Sequence, residues 1–314
     1  MYRIGIDLGG TNIAVGIVDR DNNIVKKSSL PTSAGRNPDE IVMDMAFLCN
    51  KLVEELEVLH CQVEAVGIAS PGAIDPVNGI VSYMSTLNMV NYPIVSKLKE
   101  YLPIRRIYLE NDANAAALGE AIAGSGKGVD KFIMVTLGTG VGGGIVIDGK
   151  IYSGFNHAGG ELGHMVIEHN GRRCTCGRRG CWEAYCSATG LITTTKEYMM
   201  TNKSSLMWKI VENDIERVDG KTAYKAAALS DMTARAVCAE YTDYLACGLA
   251  NIVNIFQPDV ICIGGGLSNE GENLIGPLRE IVDRIQYTSR SPIKTQIKIA
   301  ELRNDAGIIG AASL

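Results

Sequence analysis

YRIGIDLGGTNIAVGIVD, residues 2–19, is the stretch on which the fold turns. An apolar strand over 2–8 breaks into Gly9-Gly10-Thr11-Asn12 and resumes over 13–19. Asp21-Asn22-Asn23 then turns the chain into IVKKSSL, which predicts an antiparallel meander of three strands. Apolar positions 41, 42, 45, 48, 52, 56 and 59 follow a helical period across 38–59, and VEAVGIAS at 63–70 reads as a buried strand. The pattern then returns, because KFIMVTLGTGVGGGIVIDGKIYSG at 131–154 is again strand, glycine turn, strand and hairpin. DLGG at 7–10 and TLGT at 136–139 share their order, so an α/β fold with an internal duplication and a nucleotide cleft between the halves is predicted. Farther on, 232–256 predicts one long helix stopped by Pro258, and 259–268 a strand entering a triple-glycine turn.

A length of 314 residues suits two lobes better than one core. The net charge of −5 leaves no broad basic surface, which argues against nucleic acid as the main partner, and Arg172, Arg173, Arg178 and Arg179 read as a solvated rim on one loop. No segment approaches the ~20 apolar residues of a membrane span, and MYRIGIDLGG does not resemble a secretion leader. Five of the nine cysteines, Cys49, Cys61, Cys238, Cys247 and Cys262, lie singly in apolar surroundings and are expected to be small buried hydrophobes. Together these features predict a cytoplasmic protein with reduced thiols.

Glycine turns after strands let backbone N–H groups approach phosphate oxygens closely, since no Cβ intervenes. There are three here: Gly9-Gly10-Thr11-Asn12, Gly138-Thr139-Gly140 and Gly264-Gly265-Gly266. None fits the P-loop pattern or a GxGxxG that opens a helix, so a phosphate site of another type is expected. Asp7 ends its strand just before the first turn, where a carboxylate can hold Mg²⁺ or its waters. At 109–121, LENDANAAALGEA predicts a helix capped by Asn111 or Asp112, and a carboxylate at a helix N-terminus is expected to stay charged and available as a base.

The densest chemistry lies in GHMVIEHNGRRCTCGRRGCWE, 163–183. His164, Cys174, Cys176 and Cys181 are spaced to close round one tetrahedral Zn²⁺, with Glu161 and Glu183 as carboxylates at either side. His157 and His169 break that spacing and read as structural. Cys186 falls outside a completed set, and His60 is expected to interact with the end of its helix.

DLGGTN at 7–12, ENDAN at 110–114, LGTGVGGG at 137–144, GELGH at 160–164, CTCGRRGCWE at 174–183 and IGGGLS at 263–268 together resemble the ROK family of sugar kinases, repressors and open reading frames, in the actin-like ATPase superfamily. The matches run in the family's order over essentially the whole chain and are most similar to its glucokinase and N-acyl-hexosamine kinase branches. The resemblance implies a two-lobed actin-like ATPase (ribonuclease H-like) fold with a zinc-binding loop. It implies a small lobe over 1–115, completed by a C-terminal helix at about 303–314, and a large lobe over 116–302 carrying the 164–181 motif. It further implies Mg²⁺-dependent phosphoryl transfer from ATP to a hexose 6-hydroxyl, with a structural Zn²⁺ and a homodimer.

By the same resemblance Asp112 would be the general base, and Asn88, Asn111, Glu161, His164 and Glu183 would hold the sugar. Asp7, Gly9, Gly10, Thr11, Asn12, Gly138, Thr139 and Gly140 would face the phosphates and Mg²⁺, and Gly264, Gly265 and Gly266 the adenosine. His164 would have one ring nitrogen on zinc and the other on the sugar. One stretch departs from the family: Ser85 to Pro93 replaces an Asn-Leu-Pro…Trp loop, lacks its tryptophan, and offers Asn91 as a rival to Asn88.

Glucose is the expected substrate, with N-acetylmannosamine or N-acetylglucosamine as the alternative and polyphosphate as an alternative donor. A sugar-sensing repressor would need a helix-turn-helix domain ahead of a strand that begins at residue 2. A chaperone-like nucleotide-driven protein would need neither the zinc set nor its carboxylates.

Overall fold

The computed structural model describes residues 1–314. The meander forms as predicted: β1 (Tyr2–Leu8), β2 (Asn12–Val18) and β3 (Ile24–Pro31) pair antiparallel in sequence order. Helix α1 (Pro38–Glu55) opens on Asn37, whose side chain accepts the Asp39 N–H at 3.0 Å, with Pro38 preset in the first turn. It stops short of the expected residue 59, because Glu57 turns left-handed at φ 54°. Strand β4 (Val63–Ser70) then lies parallel to β1. A small antiparallel sheet follows from β5 (Ala73–Asp75), β6 (Ile80–Met84) and β7 (Met89–Tyr92), and beyond it come α2 (Ile94–Lys99), β8 (Ile107–Asn111) and α3 (Asp112–Ala123). The main sheet has the order β3-β2-β1-β4-β8.

A second five-stranded sheet repeats that plan. It contains β9 (Lys131–Leu137), β10 (Val141–Ile147) and β11 (Lys150–Ile151). Helices α4 (Glu183–Cys186), α5 (Ala188–Thr201), α6 (Leu206–Ile210), α7 (Thr222–Ala228) and α8 (Met232–Phe256) come next. Then follow β12 (Val260–Gly264), α9 (Glu272–Ile285), β13 (Gln296–Ile299) and α10 (Ala306–Ala312). The order β11-β10-β9-β12-β13 matches the first sheet position for position, which is the duplication read from the two glycine turns. Helix α8 is capped by Asp231 and ends at Gln257 in the left-handed region, φ 44°, just before Pro258. None of the helices is long and apolar enough to cross a membrane.

The chain divides into two compact units, one of Met1–Met134, Gly144–Gly160 and Ala300–Leu314, the other of Val135–Gly143 and Glu161–Ile299. Residues 116–134 fall in the first unit together with 1–115, so the whole of α3 lies there with α10. A Cβ on Gly310 would come within 1.7 Å of the Ala115 carbonyl oxygen, and one on Gly119 within 2.2 Å of that of Ala306. Helices α3 and α10 thus touch backbone to backbone. Similarly, Gly5 and Gly67 let α10 lie directly on β1 and β4, where a Cβ would meet the Ile308 and Ala311 carbonyl oxygens at 1.9 and 1.7 Å. The main core of the first unit fills the other side of the sheet with Ile4, Ile6, Ile13, Val15, Leu48 and Leu52, all fully buried. Of the lone cysteines, Cys49 and Cys262 are buried as expected, but Cys61 is exposed on a short 3-10 turn. His60 bonds the Asn50 side chain at 2.9 Å rather than the end of its helix.

Candidate functional site

In the first unit, Asp7 and Asp112 come together. Asp7 is the penultimate residue of β1, half-buried, and accepts no hydrogen bond; burial and the neighbouring Asp112 charge raise its carboxyl from 3.8 to about 6. Asn111 is the cap of α3, its Oδ1 accepting the Ala113 and Asn114 N–H groups at 3.0 and 3.3 Å, so Asp112 occupies the first helical position. Its Oδ1 accepts the Ala113 N–H at 2.8 Å. Burial outweighs that N–H and raises the carboxyl above its ordinary value, opposing the helix terminus, which favours the charged form. Sequence reasoning passed over Glu110, which is buried and orders the turn by accepting the Asn111 N–H at 2.8 Å and the Asn114 amide at 3.1 Å. Its signal was a charged residue inside an otherwise apolar strand.

The Gly9–Asn12 turn is closed by Gly9 N–H to the Asn12 carbonyl at 2.9 Å, and the Thr32 hydroxyl donates to the Gly9 carbonyl at 2.7 Å. Thr11 and Asn12 are exposed. The expected loop over 85–93 is instead the β6–β7 hairpin, with Tyr83 opposite Val90 and Met84 opposite Met89. Buried Met84, Leu87 and Met89 pin it to the core, while Thr86 at its tip lies over Gly10. Asn88 and Asn91 are both exposed and left-handed, at φ 54° and 49°. His157 bonds Ser153 at 3.2 Å and lies outside the cysteine set.

In the second unit, His164, Cys174, Cys176 and Cys181 gather with every ligand atom within 4.8 Å of the others. Cys176 Sγ lies 3.7 Å from Cys181 Sγ, and Cys174 Sγ 3.6 Å from His164 Nδ1. A tetrahedral zinc with bonds of ~2.3 Å to sulfur separates its sulfurs by roughly 3.8 Å, so the donor set fits that ion. Gly180 permits the loop, since a Cβ there would come 1.7 Å from the Glu168 carbonyl oxygen. Trp182 anchors the loop to α8; it is fully buried, donates to the Tyr244 carbonyl at 3.0 Å, and occupies the space a Cβ on Gly248 would need.

Glu183 joins this loop to the second glycine turn. Its Oε2 accepts the Val141 N–H at 3.0 Å, while Oε1 accepts the Thr175 hydroxyl at 3.4 Å and the Cys174 thiol at 3.7 Å. The Gly138–Gly140 turn is held from its other side, where the Ala188 N–H donates to the Gly138 carbonyl at 2.8 Å and the Thr189 hydroxyl to that of Thr139 at 3.1 Å. Thr189 and the α5 cap Ser187 were also missed; Ser-Ala-Thr-Gly-Leu before a helical run was the available signal. A cavity of about 560 Å³ opens here, lined by Thr139, Gly140, Arg173, Glu183, Ser187 and Thr189 among others. Gly265, at φ +82°, crosses the end of β9, where a Cβ would lie 2.5 Å from the Leu137 carbonyl oxygen. Only glycine fits there. Glu161 is exposed just before the 3-10 turn that presents His164.

A model of the ROK family matches residues 3–314. The glucokinase of Thermotoga maritima is 39% identical over 313 residues, covering 99% of this chain and 96% of that protein. A ROK family glucokinase from Streptomyces griseus, solved with glucose and AMPPNP, is 31% identical at a TM-score of 0.78, covering 100% of this chain and 98% of that one. The ROK hexokinase of Thermus thermophilus is 30% identical at a TM-score of 0.83, again covering 100% of this chain and 98% of that one.

Proposed function

The chain belongs to the ROK family, and from that membership we infer that it is an ATP-dependent glucokinase acting on the 6-hydroxyl of glucose. The observation that carries the chemistry is the pairing of Asp7 and Asp112 beside a glycine turn, with the base raised by burial. Asp112 takes the proton as the 6-oxygen attacks the γ-phosphorus; the bond to the β–γ bridging oxygen breaks, and ADP leaves. N–H groups of the Gly9–Asn12 and Gly138–Gly140 turns face the phosphates, and Gly264–Gly266 the adenosine. Asp7 would hold Mg²⁺, which neutralises charge developing on the phosphoryl oxygens.

The sugar is held by Asn111, Glu161, His164, Glu183 and Asn88 of the hairpin. With Nδ1 turned to Cys174, His164 keeps Nε2 for a ring hydroxyl. Four protein ligands leave zinc no open position, so it orders the loop and its carboxylate rather than acting as a Lewis acid. Reduced thiols at that site fit a cytoplasmic enzyme. The homodimer carries over as part of this reading, and a monomer by light scattering would remove it.

ADP release from Mg-ATP, measured against glucose, N-acetylmannosamine, N-acetylglucosamine, fructose and allose, tests the reading. A strong preference for glucose is expected. Preference for an N-acetylated sugar would move the assignment to the other branch, and no turnover in zinc-loaded protein would refute the kinase assignment.

A further inference from the structure

A cavity of about 570 Å³ in the first unit is lined by Asp7, the Gly9–Asn12 turn, Lys27, Ser28, Ser29 and Asp305, with Ala14, Asn304 and Ile308 completing it. Its charges are unbalanced. Asp7 and Asp305 bring two carboxylates, residues 7–14 contain no lysine or arginine, and Lys27 is the only cation in the lining. A donor triphosphate placed on that turn therefore adds negative charge beside two acids, against one ammonium from the protein.

Lys27 projects from β3, and its Nζ donates to both Asp305 oxygens at 2.7 and 2.9 Å. The pair is open to solvent, with side-chain exposures of 56% and 36%, so it adds little to folding. The connection to the reacting end is short. Asp305 lies two residues before Gly307, and a Cβ on Gly307 would come 2.7 Å from Asp7 Oδ2. The ammonium thus belongs to the same hollow as the Asp7 carboxylate, on a flexible four-carbon stem able to change partners. Asp305 would not be stranded by such a change, since it also lines a neighbouring hollow with Lys127.

We propose that Lys27 is the donor-binding cation of this enzyme: it leaves Asp305 for the phosphates of Mg-ATP, supplying the positive charge that the glycine turn lacks. This deepens the kinase reading and rests on it. Replacing Lys27 by Met should raise KM for Mg-ATP roughly tenfold, the loss typical of a charge-assisted contact, and leave KM for glucose within about twofold. Lys27→Arg should restore most of the affinity. Asp305→Asn, which frees the ammonium, should leave KM for Mg-ATP unchanged or lower. Calorimetric binding of Mg-AMPPNP to the same proteins reads the contact without turnover, and thermal unfolding confirms that each variant is folded. A Lys27→Met enzyme whose Mg-ATP KM and Mg-AMPPNP affinity stay within twofold of the parent overturns the proposal, as does a glucose KM that rises in step. If the parent itself fails to phosphorylate glucose, the kinase reading falls, while the Mg-AMPPNP comparison still decides whether Lys27 meets the donor.

Discussion

Asp7→Asn should make the protein more stable while removing the carboxylate proposed to hold Mg²⁺. The carboxyl is half-buried, accepts no hydrogen bond and faces Asp112, and these surroundings raise it from 3.8 to about 6. Because the folded pKa lies above the unfolded one, the folded state binds the proton more tightly between the two values. Stability therefore falls as pH rises from about 4 to about 6, and the full cost is present above that window. At ~1.36 kcal/mol per pH unit the charged carboxylate costs roughly 3 kcal/mol at pH 8. An amide of the same shape removes it. With roughly 2–4 °C of Tm per kcal/mol for a unit of this size, Asp7→Asn should melt about 6–12 °C higher at pH 8. The gain should shrink to a small residue by about pH 4 and vanish well below the unfolded value of 3.8, where the parent carboxyl is protonated in both states. Circular dichroism melts of parent and variant at pH 4, 6 and 8, without divalent cations, make the test. Equal melting at pH 8, or the same gain at pH 4, would refute the argument from buried charge.

Asp112→Asn should fold, keep its zinc and bind glucose, yet lose nearly all phosphoryl transfer; substantial turnover in a coupled ADP assay would remove Asp112 as the base. Cys176→Ser should lose zinc and glucose affinity together, read by metal analysis and by glucose titration of the same protein. Retained affinity in the metal-free variant would break the link between zinc and the sugar site. Gly310→Ala should destabilise by roughly 1–3 kcal/mol in denaturant melts: alanine gains about 1 kcal/mol of helix propensity, but its Cβ would be driven to 1.7 Å from the Ala115 carbonyl oxygen. A neutral or stabilising outcome would mean that α3 and α10 are not in backbone contact.

The duplicated sheets were legible because strand alternation and glycine turns are local signals, and both copies carried them at 2–19 and 131–154. The gathering of His164 with Cys174, Cys176 and Cys181 was legible for the same reason, with three of the four inside eight residues. What local signals could not carry was desolvation. Asp112 reads as a cap in one dimension, whereas its burial, set by the packing of distant segments, reverses the expected shift. Nor does anything in the sequence near 115 tell that Gly310 and Gly119 bring α10 against α3. The β7 arm inside 85–93 is not legible as a strand because the turn before it, Ser85 to Asn88, contains no glycine to mark a hairpin.

The glycine-lined bed beneath α10 has a consequence for synthesis. Gly5, Gly67 and Gly119 leave a trough on β1, β4 and α3 that only residues 306–312 fill, yet those residues follow the whole of 161–299 in order of translation. A nascent chain therefore carries an open, apolar furrow in its first unit for the time needed to make that intervening stretch, about 7–28 s at roughly 5–20 residues per second. A helix made after the second unit thus closes the sheet of the first.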